Sequence, residues 1–263
     1  MTHRIDQTFA ARKAKGQAAF VAYMMGGDPD LEVSQKLLNA MPDAGVDIIE
    51  LGMPFTDPAA DGPTIEEAGL RSLAAGTTLT HILGMASEFR KTNDTTPLII
   101  MGYCNPVHSM GYAKFAKAAK EAGIDGAIIV DLPPEEDTEL RQAFEVHDLA
   151  LIRLATPTTD AARLPRVVAG TKGFVYYVSM TGITGAAFSQ GGSITQQVAH
   201  VREASGLPVV VGFGVKTPER AREVAKDADG VVVGSAIVKT LHEDGMDAAL
   251  TLIKSLADAT HGV

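Results

Sequence analysis

The strongest constraint in this sequence is a repeated alternation of short apolar runs with longer amphipathic stretches. The runs are Ala18–Met24, Val46–Leu51, Pro97–Gly102, Gly126–Val130, Ala150–Leu154, Gly173–Val178, Pro208–Gly212 and Gly230–Val233. Most are continuously apolar, the pattern of parallel strands covered on both faces. Between them, Val33, Leu37, Leu38 and Met41 share one helical face, as do Leu79, Ile82, Leu83, Ala86 and Phe89. Eight such βα units with right-handed crossovers close into an α/β fold, the (β/α)8 TIM barrel. The segment ahead of Gln17 reads as an extra polar N-terminal helix covering the bottom. A doubly wound open sheet competes with this reading but fits the strand count and modest loops less well. No linker or composition shift divides the chain, so residues 1–263 read as a single TIM-barrel domain.

Local signals agree with the repeat. Asp28-Pro29 and Thr217-Pro218 place a capping side chain before a proline, while Thr64 with Glu67 and Ser193 with Gln196 read as capping boxes. Ala44-Gly45-Val46-Asp47 and Ala122-Gly123-Ile124-Asp125 are echoes, each ending a helix in glycine and entering a strand.

Composition bounds the function. In 263 residues the formal charge is −9, the wrong sign for broad contact with a phosphate backbone, so nucleic acid is not an expected partner. The single cysteine, Cys104, has no internal disulfide partner, and Met1–Asp6 lacks the apolar core of a signal peptide, which points to the cytoplasm. Runs such as Val209-Val210-Val211 fall far below the roughly 18 apolar residues that a membrane span needs.

In a barrel of this kind the chemistry lies at the C-terminal ends of the strands. Glu50 ends the second run, and the loop after it, stiffened by Pro54, Pro58 and Pro63, reaches Asp61. Two carboxyl groups on opposite sides of one substrate suit paired acid and base work, the more buried one with a raised pKa. The structural alternative is that Glu50 pairs with a cation and Asp61 caps the helix after Pro63. Asp57 is a similar case, and so is Asp131, which ends the fourth run and equally suits organising the Pro133-Pro134 turn.

Glycine pairs at neighbouring strand ends form a second constellation. Gly212-Phe213-Gly214 ends the seventh run, Gly234-Ser235 the eighth, and Thr181-Gly182-Ile183-Thr184-Gly185 follows the sixth. Glycines let backbone amides approach an anion, Ser235 stands where it would cap the next helix, and this corner of such barrels commonly takes phosphate. Each pair alone is a default turn; their coincidence points to a small anionic ligand. No lysine lies in a run or beside Glu50, although Lys216 follows Gly214, so a Schiff base is disfavoured. The seven histidines show no metal-ligand spacing, and no glycine-rich nucleotide fingerprint follows the first run, so neither metal nor organic cofactor is expected in this chain.

At these residues the sequence resembles the tryptophan synthase alpha subunit family. The string from Glu50 to Ile65, ELGMPFTDPAADGPTI, is similar to that family's signature, with Thr56 where serine is more usual. Tyr103-Cys104-Asn105-Pro106, Asp131-Leu132-Pro133, Ser179–Gly185, Gly212-Phe213-Gly214 and Gly234–Val238 extend the match over nearly the whole chain. The resemblance implies a lyase that cleaves indole-3-glycerol phosphate by a retro-aldol reaction into indole and glyceraldehyde 3-phosphate. It implies Glu50 as acid and base, Asp61 as acceptor for the indole N–H, and Tyr176 near Glu50, a position that equally suits a plain core tyrosine. It further implies phosphate contacts from Gly185, Gly214, Gly234 and Ser235, a lid over Thr181–Gln190 carrying Thr184, and an indole pocket lined by Tyr23, Tyr103 and Phe213. The implied partner is a pyridoxal-phosphate beta subunit in an alpha2-beta2 heterotetramer, facing Asp57, Pro58, Asn105, Pro106 and Pro133; turn-stiffening alone accounts for those prolines. Met24-Met25 stands where the family more often has threonine, and Met180 where arginine is frequent. A stand-alone lyase shares every one of these residues. A silent barrel that only regulates the beta subunit is disfavoured by retention of Glu50 and Asp61. Another phosphate-sugar barrel enzyme would make their spacing and the lid motif coincidence.

Overall fold

The computed structural model describes residues 3–178, 194–212 and 214–262. The strands are β1 (Ala19–Met25), β2 (Ile48–Gly52), β3 (Leu98–Gly102), β4 (Gly126–Ile129), β5 (Ala150–Ala155), β6 (Val175–Val178), β7 (Val209–Gly212) and β8 (Gly230–Val233). The helices are α1 (Arg4–Ala14), α2 (Leu31–Ala40), α3 (Pro63–Ala74), α4 (Leu79–Arg90), α5 (Cys104–Met110), α6 (Tyr112–Glu121), α7 (Thr138–Val146), α8 (Leu164–Val168), α9 (Ile194–Ser205), α10 (Pro218–Ala225), α11 (Ser235–Asp244) and α12 (Met246–His261). All eight strands are parallel and pair in chain order, and β1 also pairs with β8, closing the barrel. The eight runs read from sequence are these strands. Their ends shift by a residue or two because Pro97 has no N–H to give a ladder and Gly173 turns at φ 80° before β6.

Strand residues alternate between two cores. Val21, Ile48, Ile99, Ile128, Ile152, Val210 and Val232 fill the barrel interior, whereas Phe20, Ile49, Ile100, Ile129, Leu151, Val211 and Val231 pack under the helices. Both faces are buried, which explains why the runs read as continuous apolar stretches. Helix α1 closes the N-terminal end: Ile5 and Phe9 join the interior core, and Phe9 lies 5.7 Å from Phe174. Among the described residues, no helix is long and apolar enough to cross a membrane.

The sequence echoes have a structural counterpart at that same end. Asp47, Asp125 and Asp229 each stand one residue ahead of an even-numbered strand. Each gives its own N–H to the carbonyl of Phe20, Leu98 or Val209 on the preceding strand and takes that residue's N–H on a side-chain oxygen at 2.8 Å. An arginine then holds each carboxylate: Arg12 on Asp47, Arg4 and Arg90 on Asp125, and Arg202 on Asp229. The residue directly ahead of β6 is Phe174, which packs in the interior core instead of bridging strands with a carboxylate.

The capping expectations divide. Thr217 caps α10, accepting from the Arg220 N–H at 3.3 Å with Pro218 in the first turn. Asp28 does not cap α2; Asp30 does, and Asp28 is buried and held by Arg71 from α3 at 2.7 and 2.9 Å. A buried carboxylate needs such a fork, which outweighs a cap open to water. Thr64 and Glu67 form no box, because Gly62-Pro63 starts α3 early and leaves Thr64 inside its first turn. Ser193 lies outside the described residues. A box absent from the sequence reading joins Thr78 and His81 at the start of α4, with histidine in the place usually held by Glu or Gln.

We expect Asp125→Ala to cost about 3 kcal/mol in urea unfolding, because it strips two arginines and the Leu98 N–H of one buried acceptor. A loss below about 1 kcal/mol would show that this carboxylate does not tie the strand starts together.

Candidate active site

Glu50 occupies the interior face of β2, paired in register with Tyr23 of β1 and Ile99 of β3. Its side chain is fully buried, and neither carboxyl oxygen has a hydrogen-bonding partner among the described residues. The alternative in which it pairs with a cation therefore does not hold. Burial without a partner disfavours the charge and raises its pKa to about 8. Such a group costs stability and persists where chemistry uses it.

Asp61 lies on the loop between β2 and α3. It does not cap that helix: the N-cap is Gly62, with no side-chain bond. Burial raises its pKa to about 6 against the opposing hydrogen bond from Tyr103, and nearby Glu66 adds to the rise. At neutral pH the free site thus holds a protonated Glu50 and a largely ionised Asp61, the difference in environment expected of such a pair.

Tyrosines join the two carboxyl groups. Tyr23 feels the negative charge of both Asp61 and Glu50, and Tyr176 on β6 feels that of Glu50; burial raises both phenol pKa values further. Glycine makes room for each ring: a Cβ on Gly52 would lie 2.2 Å from the Tyr23 hydroxyl, and one on Gly212 would lie 2.1 Å from the Tyr176 hydroxyl. Tyr176 lies in the interior core, with its hydroxyl over Gly212 at the end of β7. Tyr103 follows β3, accepts from the Ala60 N–H at 3.0 Å and stacks on Phe55 at 5.3 Å.

The anion corner is partly described. Gly234 precedes α11, where a Cβ would press on the Tyr23 Cβ at 3.1 Å. Ser235 is the first residue of α11, not its cap as the sequence suggested, and Gly234 provides no side-chain cap either. Among the described residues, no side-chain cap bonds the start of this ten-residue helix. Gly214 is exposed with φ 77° in the loop after β7, the neighbouring strand. Thr184, Gly185, Met180, the Thr181–Gln190 segment and Phe213 lie outside the described residues.

Comparison with known proteins meets this geometry. The family model for the tryptophan synthase alpha chain matches residues 9–261. The chain belongs to that family. Tryptophan synthase subunit alpha from Legionella pneumophila str. Paris is 38% identical with a TM-score of 0.91, each chain covered over 100% of its length. A tryptophan synthase alpha chain from Legionella pneumophila subsp. pneumophila matches at 37% identity and TM-score 0.89, over 100% of this chain and 99% of that one. Tryptophan synthase of Mycobacterium tuberculosis matches at 35% identity and TM-score 0.91, over 99% of each. The reaction of the tryptophan synthase alpha family is retro-aldol cleavage of indole-3-glycerol phosphate, and this chain is a carbon–carbon lyase of tryptophan biosynthesis.

The remaining expected positions lie on the rim. Asp57, Asn105 and Pro133 are exposed and Pro58 and Pro106 half-buried, on or beside the loops after β2, β3 and β4. Asp131 takes the Cys104 N–H at 2.7 Å, so its side chain ties the loop after β4 to the one after β3, a bond that neither sequence reading of it foresaw. Met24 and Met25 are buried at the end of β1, Met25 beside Tyr23. Among the described residues, no cluster of histidine, cysteine and acidic side chains is placed to hold a metal. Gly52 and the hydrogen bond from the Ala60 N–H to the Tyr103 hydroxyl escaped the sequence reading. The signal for Gly52 was its place two residues beyond Glu50, on the same face of the strand.

A raised pKa in the folded state stabilises the protein below the unfolded value, here 4.5, and that contribution is lost as pH rises through about 8. Glu50→Gln removes the titration. Between pH 5 and pH 9 its unfolding free energy should gain on the parent protein by about 2–4 kcal/mol. Parallel pH profiles for the two proteins would place the Glu50 carboxyl in water.

Proposed function

We propose that Glu50 and Asp61 carry the cleavage of indole-3-glycerol phosphate in this chain, with Tyr176 beside them. The observation that supports this reading is the partnerless carboxyl of Glu50 at the mouth of an otherwise apolar barrel. Protonated at neutral pH, Glu50 delivers its proton to the ring carbon that bears the glycerol phosphate chain, and positive charge spreads to the indole nitrogen. Asp61, ionised, accepts the indole N–H and stabilises that charge. The carboxylate left on Glu50 then takes the proton of the adjacent side-chain hydroxyl as the carbon–carbon bond breaks. The bonding pair returns to the ring, releasing indole and glyceraldehyde 3-phosphate, and Glu50 ends protonated as it began. The phosphate rests on backbone donors around Gly185, Gly214, Gly234 and Ser235. Tyr23, Tyr103 and Phe213 enclose the indole, and closure of the segment carrying Thr184 excludes water.

The chain acts in the cytoplasm as a single barrel unit and needs neither metal nor organic cofactor of its own. Its partner is a pyridoxal-phosphate beta subunit, in an alpha2-beta2 heterotetramer. Asp57, Pro58, Asn105 and Pro133 on the rim are the face it meets, and exposure of three of these four supports that reading.

Indole release from indole-3-glycerol phosphate tests the proposal, with the purified chain alone and with a cognate beta subunit. We expect slow release accelerated by the partner; fast release by the chain alone would favour a stand-alone lyase. Glu50→Gln should abolish turnover while retaining affinity for a phosphate ligand, because the amide keeps the shape but moves no proton. In the parent protein kcat/KM should fall above about pH 8 as Glu50 ionises. The acid limb overlaps the substrate phosphate, whose second pKa is about 6, so the alkaline limb is the decisive one. Substantial turnover in Glu50→Gln would sink the assignment.

A further inference from the structure

Between the loops that follow β4 and β5 lies a cavity of about 450 Å3 that the cleavage chemistry does not use. That volume falls within the roughly 300–1,000 Å3 of small-molecule pockets. Arg153 on β5 and Ile129 on β4 reach it from the helix-facing side of the sheet, since their neighbours Ile152 and Ile128 fill the barrel interior. Arg153 is 6% exposed, and its Nε–H has no hydrogen-bonding partner among the described residues, although its guanidinium pairs with Asp137. A buried donor left in this way calls for an acceptor. Three threonines of the β5–α8 loop line the same cavity. The Thr156 hydroxyl contacts that of Thr158 at 2.8 Å and that of Thr159 at 3.3 Å. These two contacts use two of three hydroxyl hydrogens, so one is unspent among the described residues.

We propose that this cavity binds a small monocarboxylate with an apolar body, held by the Arg153 Nε–H and the threonine hydroxyls, at a place separate from the cleavage site. The charges around it set the class. Arg153 meets Asp137, which Arg141 also approaches at 3.5 Å, and Arg163 meets Glu135 at 3.4 Å. Asp131, with one oxygen on the Cys104 N–H, adds a negative charge to the wall. A dianion would enter against Asp131 with its cations already shared, whereas a single carboxylate takes both unspent donors. Ile129, Leu132 and Val167 supply the apolar part of the wall.

Phenylacetate is the probe, titrated into the purified chain by calorimetry and followed by amide NMR shifts. We expect saturable one-to-one binding with a Kd of about 1 mM or tighter, and shifts centred on Thr156, Thr158, Thr159 and Arg163. Phenylacetamide, the neutral isostere, should bind about tenfold more weakly or worse, and inorganic phosphate should not displace the probe. Arg153→Lys keeps a cation for Asp137 but lacks the Nε donor, so it should weaken binding about tenfold and leave indole release unchanged. Thr158→Val should weaken binding about threefold, and it stays decisive if Arg153→Lys does not fold. Saturating phenylacetate should leave the KM for indole-3-glycerol phosphate in place. The proposal is overturned by a lack of saturation, by equal affinity for the amide, by displacement with phosphate or by unchanged affinity in the folded variants. Competition with indole-3-glycerol phosphate, or shifts centred on Gly214 and Gly234, would put the probe in the cleavage site and overturn it equally.

Discussion

Closure of the sheet between β1 and β8 is the constraint on which the rest of the structure depends. Ala19 pairs with Gly230 and Ala22 with Val233, so every strand has a neighbour on both sides and no edge is left to solvent. A closed barrel of this width is filled by side chains, and its interior is dry. A carboxyl group placed on the inner face, as Glu50 is, therefore loses its hydration unless another interior residue replaces it. None does, and a proton stays on the group well above the usual carboxylate range. The raised pKa of Glu50 is a consequence of burial in the closed barrel.

The two ends of the barrel handle carboxylates in opposite ways. At the N-terminal end Asp47, Asp125 and Asp229 each bridge two strands and meet an arginine, so their charges stitch the sheet and are compensated. At the C-terminal end Glu50 is left without a partner, and Asp61 has a tyrosine where the other aspartates have an arginine. Pairing compensates a buried carboxylate's charge and ties the strands together, whereas burial without a partner raises the Glu50 pKa. The stabilising end can be rebuilt from charge and spacing. The chemical end depends on withholding both.

Much of this was legible. The runs that became β1 to β8 were readable because two-sided burial demands unbroken Val and Ile, and Glu50 stood out as a charge at the end of one of them. Capping was less legible. Asp28 and Thr64 carry the right chemistry, yet Arg71 claims the first, and the turn at Gly62-Pro63 places the second too far into α3. Arg71 lies 43 residues from Asp28, a separation that no local pattern reports. Tyr103 was readable as an aromatic near a pocket, but its bond to the Ala60 N–H spans 43 positions in the same way.

What the sequence determined by itself is the periodic content: eight strands, the helices between them and the face of each that must be buried. Periodicity is local, and burial preference is written residue by residue. The tertiary structure decided which side chains meet at the mouth. It left the Glu50 carboxyl without a partner among the described residues, opened space over Gly52 and Gly212 for two phenols, and tied the Ala60 N–H to the Tyr103 hydroxyl. Those outcomes depend on distances between residues far apart in the chain, which are set only when the eighth strand meets the first.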